Sequence, residues 1–233
     1  MNPLKNIDYF EVLPSTNDYI KQNLDSLEPG GIVHAFDQTH GRGRRNNIWQ
    51  SKSGENLTFS FYDQTDNHDT SHYLVTTALS VVNVLKQKNV NAWIKLPNDI
   101  MVDNKKIAGI LIETIHKDSL IHVVVGVGLN INQVFLGPLK NKATSLKILL
   151  NTDCVKEEYL KGLMDAYNTL ILKDYGELFK AFKNHLKLGT IKAHYDGKTL
   201  AVTDIDESFM CEFNQKYLPC TLLDFNIIYK NYK

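Results

Sequence analysis

The sequence predicts an α+β protein: a mixed, mostly antiparallel sheet covered by helices, followed by a small C-terminal β module. Three observations predict this. Short apolar strands crowd positions 92–132 around a tight Asp103-Asn104 turn, as in an antiparallel meander. Positions 71–87 and 155–172 carry helical apolar stripes suited to covering layers. After Leu188-Gly189 the pattern changes to short alternating strands. The expected division is a larger unit over residues 1–185 and a barrel-like β unit over 186–233.

The elements follow in order. Tyr9 to Leu13 reads as a strand that stops at Pro14-Ser15-Thr16-Asn17, where Ser15 or Thr16 can cap a short helix through Tyr19, Ile20 and Leu24. Glu28-Pro29-Gly30-Gly31 is a turn, and Ile32 to Phe36 a buried strand. Gln38 to Ser53 is a polar, glycine-bearing loop. Leu57 to Tyr62 alternates and is rich in Phe and Tyr, so it is a strand. Leu74, Val75, Ala78, Leu79, Val82 and Leu85 give Ser71 to Gln87 its helical stripe. Ala92 to Lys95, Ile100 to Val102, Lys106 to Glu113 and Ile121 to Asn132 are the strands of the meander. Val155 to Leu172 and Phe179 to Leu188 are covering helices, and the tail strands lie around Asp196-Gly197 and Asp204 to Glu207.

Composition narrows the function. The 26 Lys and Arg balance the 26 Asp and Glu, so the formal net charge is zero. A general nucleic-acid binder carries a strongly basic surplus. With 43% hydrophobic and 10% aromatic residues, the 233-residue chain can build a core, which excludes disorder, collagen and coiled coil. Cys154, Cys211 and Cys220 form no CxxC and no paired disulfide framework. The start, MNPLKNIDYF, has no apolar leader pattern, and no stretch approaches the ~18 apolar residues of a membrane span. A cytoplasmic protein is expected. The eight histidines show no ligand spacing; His40, beside the arginine loop, is the one of interest.

Three segments carry chemistry. Gly41-Arg42-Gly43-Arg44-Arg45 puts three arginines within four positions. Their planar donors suit phosphate or carboxylate, and glycine lets backbone N–H groups approach an anion. Asn46 stands where a dinucleotide fingerprint needs its third glycine, and a GK[ST] ending is absent. The second segment is Lys95-Leu96-Pro97-Asn98-Asp99 with Lys105 to Gly109. Here Lys106 precedes a run apolar enough to be buried, which makes it a candidate anion ligand at the mouth of a core strand. The third is Gly126 to Asn132. Gly126 and Gly128, with Gly109 on the neighbouring strand, mark either a bulge or a side-chain-free floor for a flat ligand.

Together these segments resemble the biotin–protein ligases. That family shows a GRGRRG-x-x-W-x-S loop, K-W-P-N-D, a K-(I/L)-A-G-(I/V)-L-x-E strand and a G-(I/V)-G-x-N strand. This chain has Gly41 to Arg45 with Trp49 and Ser51, then Lys95 with Pro97-Asn98-Asp99. It continues with Lys106 to Leu111 and Glu113, and with Gly126 to Asn130. Ser15-Thr16-Asn17 and Ala143-Thr144-Ser145-Leu146 match in the same order, and the resemblance covers roughly residues 8 to 185. The chain departs at Leu96, where Trp is usual, and at Asn46 and Asn47, where Gly and a basic residue are common. Asn46 or Asn47 would then supply the left-handed backbone of the loop. The tail lacks a clear G-x-A-x-G-I-D segment, of which Asp204-Ile205-Asp206 would be the remnant.

The resemblance implies the fold of class II aminoacyl-tRNA synthetases and biotin ligases with an SH3-like tail, in the monofunctional form without an N-terminal DNA-binding domain. It implies ATP-dependent formation of biotinyl-5′-AMP with Mg²⁺, then transfer of biotin to a lysine of the biotin acceptor domain of a carboxylase. By position, Ser15, Thr16, Gln38, Gly41 and Arg42 would contact biotin. Gly109, Gly126 and Gly128 would line the floor, and Lys106 would bridge the biotin carboxylate and the α-phosphate. Arg42 and Arg44 would hold the adenylate, Trp49 would stack over the adenine, and Asn130 would sit near it. Asn98 and Asp99 would lie near the phosphates or a metal whose ligands the sequence does not name. Asp99 could instead deprotonate the incoming lysine. No DNA and no membrane partner is expected, and a homodimer is open.

Other readings weigh less. Lipoate–protein ligases share the chemistry but carry an R-R-x-x-G-G-G-x-V-x-H-D type segment where this chain has Gly41 to Ser51. A DNA-binding regulator would rest on the arginine loop alone. A protein that holds biotinyl-AMP without transferring it differs from a ligase only by turnover.

Overall fold

The computed structural model describes residues 1–117, 119–135, 137–220 and 223–227. Its main sheet is built from β1 (Lys5–Leu13), β2 (Gly31–Gln38), β3 (Leu57–Thr65), β4 (Ala92–Lys95), β5 (Asp99–Val102), β6 (Lys105–Lys117) and β7 (Leu120–Leu129). The spatial order is β1-β2-β3-β7-β6-β5-β4. Only the β1/β2 pair is parallel; the other neighbours run antiparallel. A mixed, mostly antiparallel sheet is what the short connections of the meander require.

Period-two alternation decides what lies on each face. Phe59 and Phe61 of β3 and Val123, Val125 and Val127 of β7 point into the large core. The helices α2 (Ser71–Gln87), α4 (Lys156–Leu170) and α5 (Tyr175–Asn184) bury their apolar stripes in that same core. Each of these side chains contributes about 1.5–3 kcal/mol by leaving water. Tyr62 and Val124, one residue out of phase, form a smaller cluster on the opposite face with Ile20 of α1 (Thr16–Gln22). Ser60, Gly126 and Gly128 share the parity of Tyr62 and Val124, so they also face α1. The smaller cluster covers one end of that face and leaves the glycine end free for a site.

Turn chemistry follows the backbone. Asp103 takes φ 51° in the two-residue link between β5 and β6. Ser15 caps α1 by accepting a hydrogen bond from the Asp18 N–H at 3.3 Å. The last helix starts and ends earlier than the expected Phe179 to Leu188. Asp174 caps it, accepting from the N–H groups of Gly176 and Glu177, and at its end the His185 carbonyl accepts from Ile94 N–H of β4. The short α3 (Leu146–Leu150), capped by Ser145, lies where only a motif was noted.

The C-terminal segment forms two three-stranded sheets. One is β13-β8-β9, from β8 (Ile191–Tyr195), β9 (Lys198–Ala201) and β13 (Asp224–Ile227). The other is β10 (Asp204–Ile205), β11 (Met210–Phe213) and β12 (Lys216–Pro219) in order. Asp196 and Gly197 both have positive φ in the β8–β9 turn, as its Asp-Gly sequence predicts. The Asn214-Gln215 turn adopts the same pair of positive φ values without glycine, so the β11–β12 hairpin carries no obvious sequence signal. The segment's buried residues, among them Ile205, Phe213 and Leu223, join the same apolar cluster as Phe179 and Phe182 of α5. Residues 228–233 of the expected second unit lie outside the described residues.

Candidate active site

The site begins with a pair of glycines. Gly109 of β6 and Gly128 of β7 are direct cross-strand partners, and Gly126 lies opposite Leu111. With no side chains at the paired positions, the sheet presents bare backbone to a cavity of about 240 Å³. Ser15, Thr16 and Gln38 form one end of the lining, Lys95 to Asp99 and Lys106 the other, and the arginine loop lies across it. Leu96 supplies an aliphatic, fully buried wall where the family pattern has an aromatic one.

The polar end is fixed by a network that is buried at Thr16, Asn17 and Ser60 and partly exposed at Asp18, Lys21, Arg42 and Glu113. The Thr16 N–H donates to Gln38 Oε1 at 2.8 Å, and the hydroxyls of Thr16 and Ser60 lie 2.6 Å apart. Ser60 Oγ donates to Asn17 Oδ1 at 2.5 Å, and Asn17 Nδ2 donates to Glu113 Oε2 at 2.8 Å. Glu113 also pairs with Arg42 at 2.6 Å and Lys21 at 2.9 Å, while Asp18 pairs with both cations at 2.8 Å. Burial alone would raise the Glu113 carboxyl, but donors from Arg42, Asn17 and Lys21 overcome it and hold it below its ordinary 4.5. Arg42 is correspondingly held above its usual range, against burial, chiefly by Glu113.

This network gives a pH signature. A carboxyl lowered in the folded state contributes stability above its unfolded value, and that contribution fades as pH falls through the folded value. Glu113→Gln is therefore expected to cost roughly 1–2 kcal/mol at pH 7. The gap to wild type should narrow as pH falls below 4.5, the ordinary carboxyl value. Paired thermal melts at pH 7 and at acidic pH check this; a gap independent of pH would show that Glu113 does not act as a charge.

At the other end, Lys106 Nζ lies 2.5 Å from Asp99 Oδ1, and Lys95 is 3.9 Å from the second carboxylate oxygen. The lysine tail folds back over the floor, since a Cβ on Gly109 would come within 2.8 Å of Lys106 Nζ. Asn98 Nδ2 donates to the Ile110 carbonyl at 2.6 Å, which ties the Pro97-Asn98 segment to β6. Among the described lining residues, Arg44, Arg45, Lys95 and Lys106 stand with Asp99 as the single carboxylate, while Arg42 is paired with Asp18 and Glu113. The surplus is positive and partly desolvated, which favours a polyanion.

The arginine loop is a small hairpin that closes on itself. Gly43 N–H donates to the Asn47 carbonyl at 2.7 Å and Trp49 N–H to the Gly41 carbonyl at 2.9 Å. The left-handed residue expected at Asn46 or Asn47 is instead Arg45, at φ 54°; Asn47 is extended. That conformation directs the Arg45 guanidinium to the Leu223 carbonyl at 3.1 Å. Arg44 turns inward to within 3.5 Å of Asn98 Oδ1. Burial first, then the neighbouring Arg45 charge, pulls Arg44 below its ordinary range. The Trp49 indole lies on the floor, 2.4 Å from where a Cβ on Gly128 would stand. Its buried Nε1 has no hydrogen-bond partner among the described residues, a donor left for a ligand acceptor.

Two expected contacts sit one layer back. Asn130, expected beside the adenine, is buried behind the wall, where its amide donates to the Thr144 carbonyl at 3.0 Å and reaches the Lys106 carbonyl at 3.4 Å. It sets the backbone of Lys106 rather than lining the cavity, because β7 has already turned off the sheet at Leu129. Gly41 likewise lies behind the lining. A Cβ there would come within 2.8 Å of the Trp49 carbonyl. His40 is exposed and bonded to the Thr39 hydroxyl. Sequence reasoning did not place Asp18, Lys21 and Ser60 in the site, and left Asn17 and Glu113 in motifs without roles. The available signal was parity: Glu113 lies four residues from Gly109 on one strand face, and Ser60 interrupts the apolar run of β3.

The fold has close counterparts. It superimposes on the biotin protein ligase from Aquifex aeolicus, solved in complex with biotin and ATP, with a TM-score of 0.84. The match covers 97% of this chain and all of that one, at 23% identity. The architecture is therefore that of the biotin protein ligase fold. Residues 9–130 match the biotin/lipoate A/B protein ligase family, and the chain belongs to that family. Among curated relatives, the bifunctional ligase/repressor BirA of Bacillus subtilis is 34% identical over 146 residues, 59% of this chain and 45% of that protein. Biotin–protein ligase 2 of Arabidopsis thaliana is 30% identical over 184 residues, 76% of this chain and 51% of that protein. The chain spans about half the length of these curated relatives. Among the described residues, no helix is long and apolar enough to cross a membrane.

Proposed function

We propose that this chain is a biotin–protein ligase. It joins biotin to ATP as biotinyl-5′-AMP, with loss of pyrophosphate, and transfers the biotinyl group to a lysine of a biotin acceptor domain. The observation that carries this reading is the site itself: a glycine floor bounded at one end by a neutral hydrogen-bonding pocket and at the other by clustered cations. The Thr16, Gln38 and Ser60 end suits a small polar ring system. The Lys106 end suits the meeting of two anions.

The chemistry follows from that arrangement. A biotin carboxylate oxygen attacks the α-phosphorus, and the P–O bond to pyrophosphate breaks. Attack of an anion on an anion requires positive charge at the shared oxygens, and Lys106, steadied by Asp99, can supply it. Arg44 would hold the product phosphate and Trp49 would cover it, which would keep water from the anhydride. In the second step the acceptor amine attacks the acyl carbon and AMP leaves. Asp99 is the lining carboxylate that could take the amine's proton, once the pyrophosphate has gone and Lys106 bonds the AMP phosphate. Among the described residues no three His, Cys, Asp or Glu groups converge as a metal cage. Mg²⁺ would be held by Asp99, the single carboxylate among the described lining residues, and would supply positive charge to the phosphate oxygens. We propose a cytoplasmic location and a carboxylase acceptor domain as its protein partner.

The test is transfer of labelled biotin to an acceptor domain with MgATP. Wild type should transfer. Arg44→Ala should still form biotinyl-AMP yet release it to solution, so pyrophosphate release outruns acceptor labelling. Tight biotin binding without transfer would make the chain a binder, and absence of biotin binding would sink the reading.

A further inference from the structure

The hydrogen bonds at the neutral end of the cavity run in one direction, and that direction is set by Glu113, which stands behind the described lining residues. Against burial, which raises it, donors from Arg42, Asn17 and Lys21 hold the Glu113 carboxyl low, so at neutral pH it offers only acceptors. Asn17 therefore turns its Nδ2 to Glu113 Oε2, at 2.8 Å, and its Oδ1 to Ser60. That oxygen takes the Ser60 hydroxyl proton at 2.5 Å. A hydroxyl has one proton to give, so across the 2.6 Å contact of Ser60 with Thr16 the donor is Thr16. Thr16 lines the cavity, and with its proton committed to Ser60 its oxygen meets a ligand as an acceptor. Gln38 is oriented from the same residue. Its Oε1 accepts from the Thr16 N–H at 2.8 Å, which leaves its Nε2 to donate. This end of the cavity thus pairs one acceptor with one donor.

We propose that Glu113, by fixing the direction of this chain, is a positioning residue that selects a ligand carrying an N–H beside a C=O, the edge of a cyclic urea, over ligands of the same shape that lack the N–H. The proposal rests on the biotin reading above, because the biotin ring system carries that edge. Glu113 acts through Asn17, Ser60 and Thr16 and touches no ligand itself. Without an acceptor at position 113, the Asn17 amide is free to turn over and donate to Ser60. Every proton in the chain then points the other way, and Thr16 faces the ligand with a hydrogen. A ligand N–H would meet a donor there and lose its bond. The cost falls on ligands that carry the N–H and spares those that do not.

The experiment measures, by calorimetric titration, the binding of biotin and of its two lactam analogues, in each of which CH₂ replaces one ring N–H. Wild type should bind biotin about 10²-fold more tightly than one of the lactams. Thr16→Val should remove most of that preference, which assigns the N–H to Thr16. Glu113→Met keeps the length of the side chain and removes its acceptors, while Asp18 still pairs with both Arg42 and Lys21. It should cut the preference to about tenfold or less. Glu113→Gln, whose amide oxygen still accepts from Asn17, should keep the preference within about threefold of wild type. Damage to the fold alone weakens biotin and lactam by the same factor and leaves their ratio unchanged. Should Glu113→Met not fold, Ser60→Ala cuts the chain with Glu113 and its ion pairs in place, and should lower the ratio severalfold. An unchanged ratio in Glu113→Met or Ser60→Ala overturns the proposal, as does a Glu113→Gln ratio that falls as far as that of Glu113→Met. Wild type that binds biotin and both lactams equally overturns it while the biotin reading stands, and wild type that binds none of the three sinks both.

Discussion

Lys106→Ala is expected to lower the rate of biotinyl-AMP formation about 10²–10³-fold with little loss of stability. The side chain is only partly buried and its one strong partner is Asp99, at 2.5 Å. Removing it leaves Asp99 near Lys95, so no carboxylate is stranded in an apolar site. The cost therefore falls on the reacting anions and not on the fold. Arginine should not restore the rate. A compact ammonium folds back over Gly109, and the broader guanidinium would collide with the Trp49 ring, whose centroid is 5.5 Å from Lys106 Nζ. Stopped-flow or pyrophosphate-release measurements at saturating biotin and ATP check this. A variant that retains near-wild-type rates with raised KM would mean Lys106 only helps to bind substrate. An unchanged melting temperature separates lost chemistry from lost structure.

Much of the site is legible in the sequence because its chemistry is written into strands with a fixed period. Glycines at 109, 126 and 128 lie in apolar runs, and a two-residue alternation then assigns them a face without any tertiary information. Lys106 is readable because a charged residue at the start of a core strand has few other uses. What escapes is whatever depends on packing between elements distant in sequence. Glu113 gathers Arg42, Asn17 and Lys21 from up to 96 positions away, and no local pattern reports that convergence. Asn130 shows the same limit. A polar residue after a glycine strand looks like a ligand contact, yet the chain bends there and turns the amide onto the backbone of Lys106 and Thr144. The left-handed residue of the loop falls on Arg45 although Asn46 has the better intrinsic tolerance. The hydrogen bond to Leu223 and the closure by Gly43 and Asn47 offset that local cost.

The two floor glycines of β7 should respond differently to a methyl group. In Gly126→Ala the added carbon would stand 2.2 Å from Asn17 Oδ1. Asn17 is 4% exposed and cannot yield freely: Ser60 donates to that oxygen, Glu113 accepts from its nitrogen, and α1 fixes its backbone. Moving it leaves buried polar groups without partners, at about 1–3 kcal/mol each. Gly126→Ala should therefore lower the melting temperature by about 10 °C and abolish detectable biotin binding together with it. In Gly128→Ala the clash is with the Trp49 ring, which sits on a loop and has an unpartnered Nε1, so it gives up no hydrogen bond by swinging away. That variant should keep its melting temperature within about 3 °C while losing ATP-site affinity. Thermal melts and calorimetric titration with biotin and with ATP separate the two. Equal melting temperatures for the two variants would mean that the Asn17 network is soft, and that the biotin end of the floor is not held by the contacts of α1 with β3 and β6.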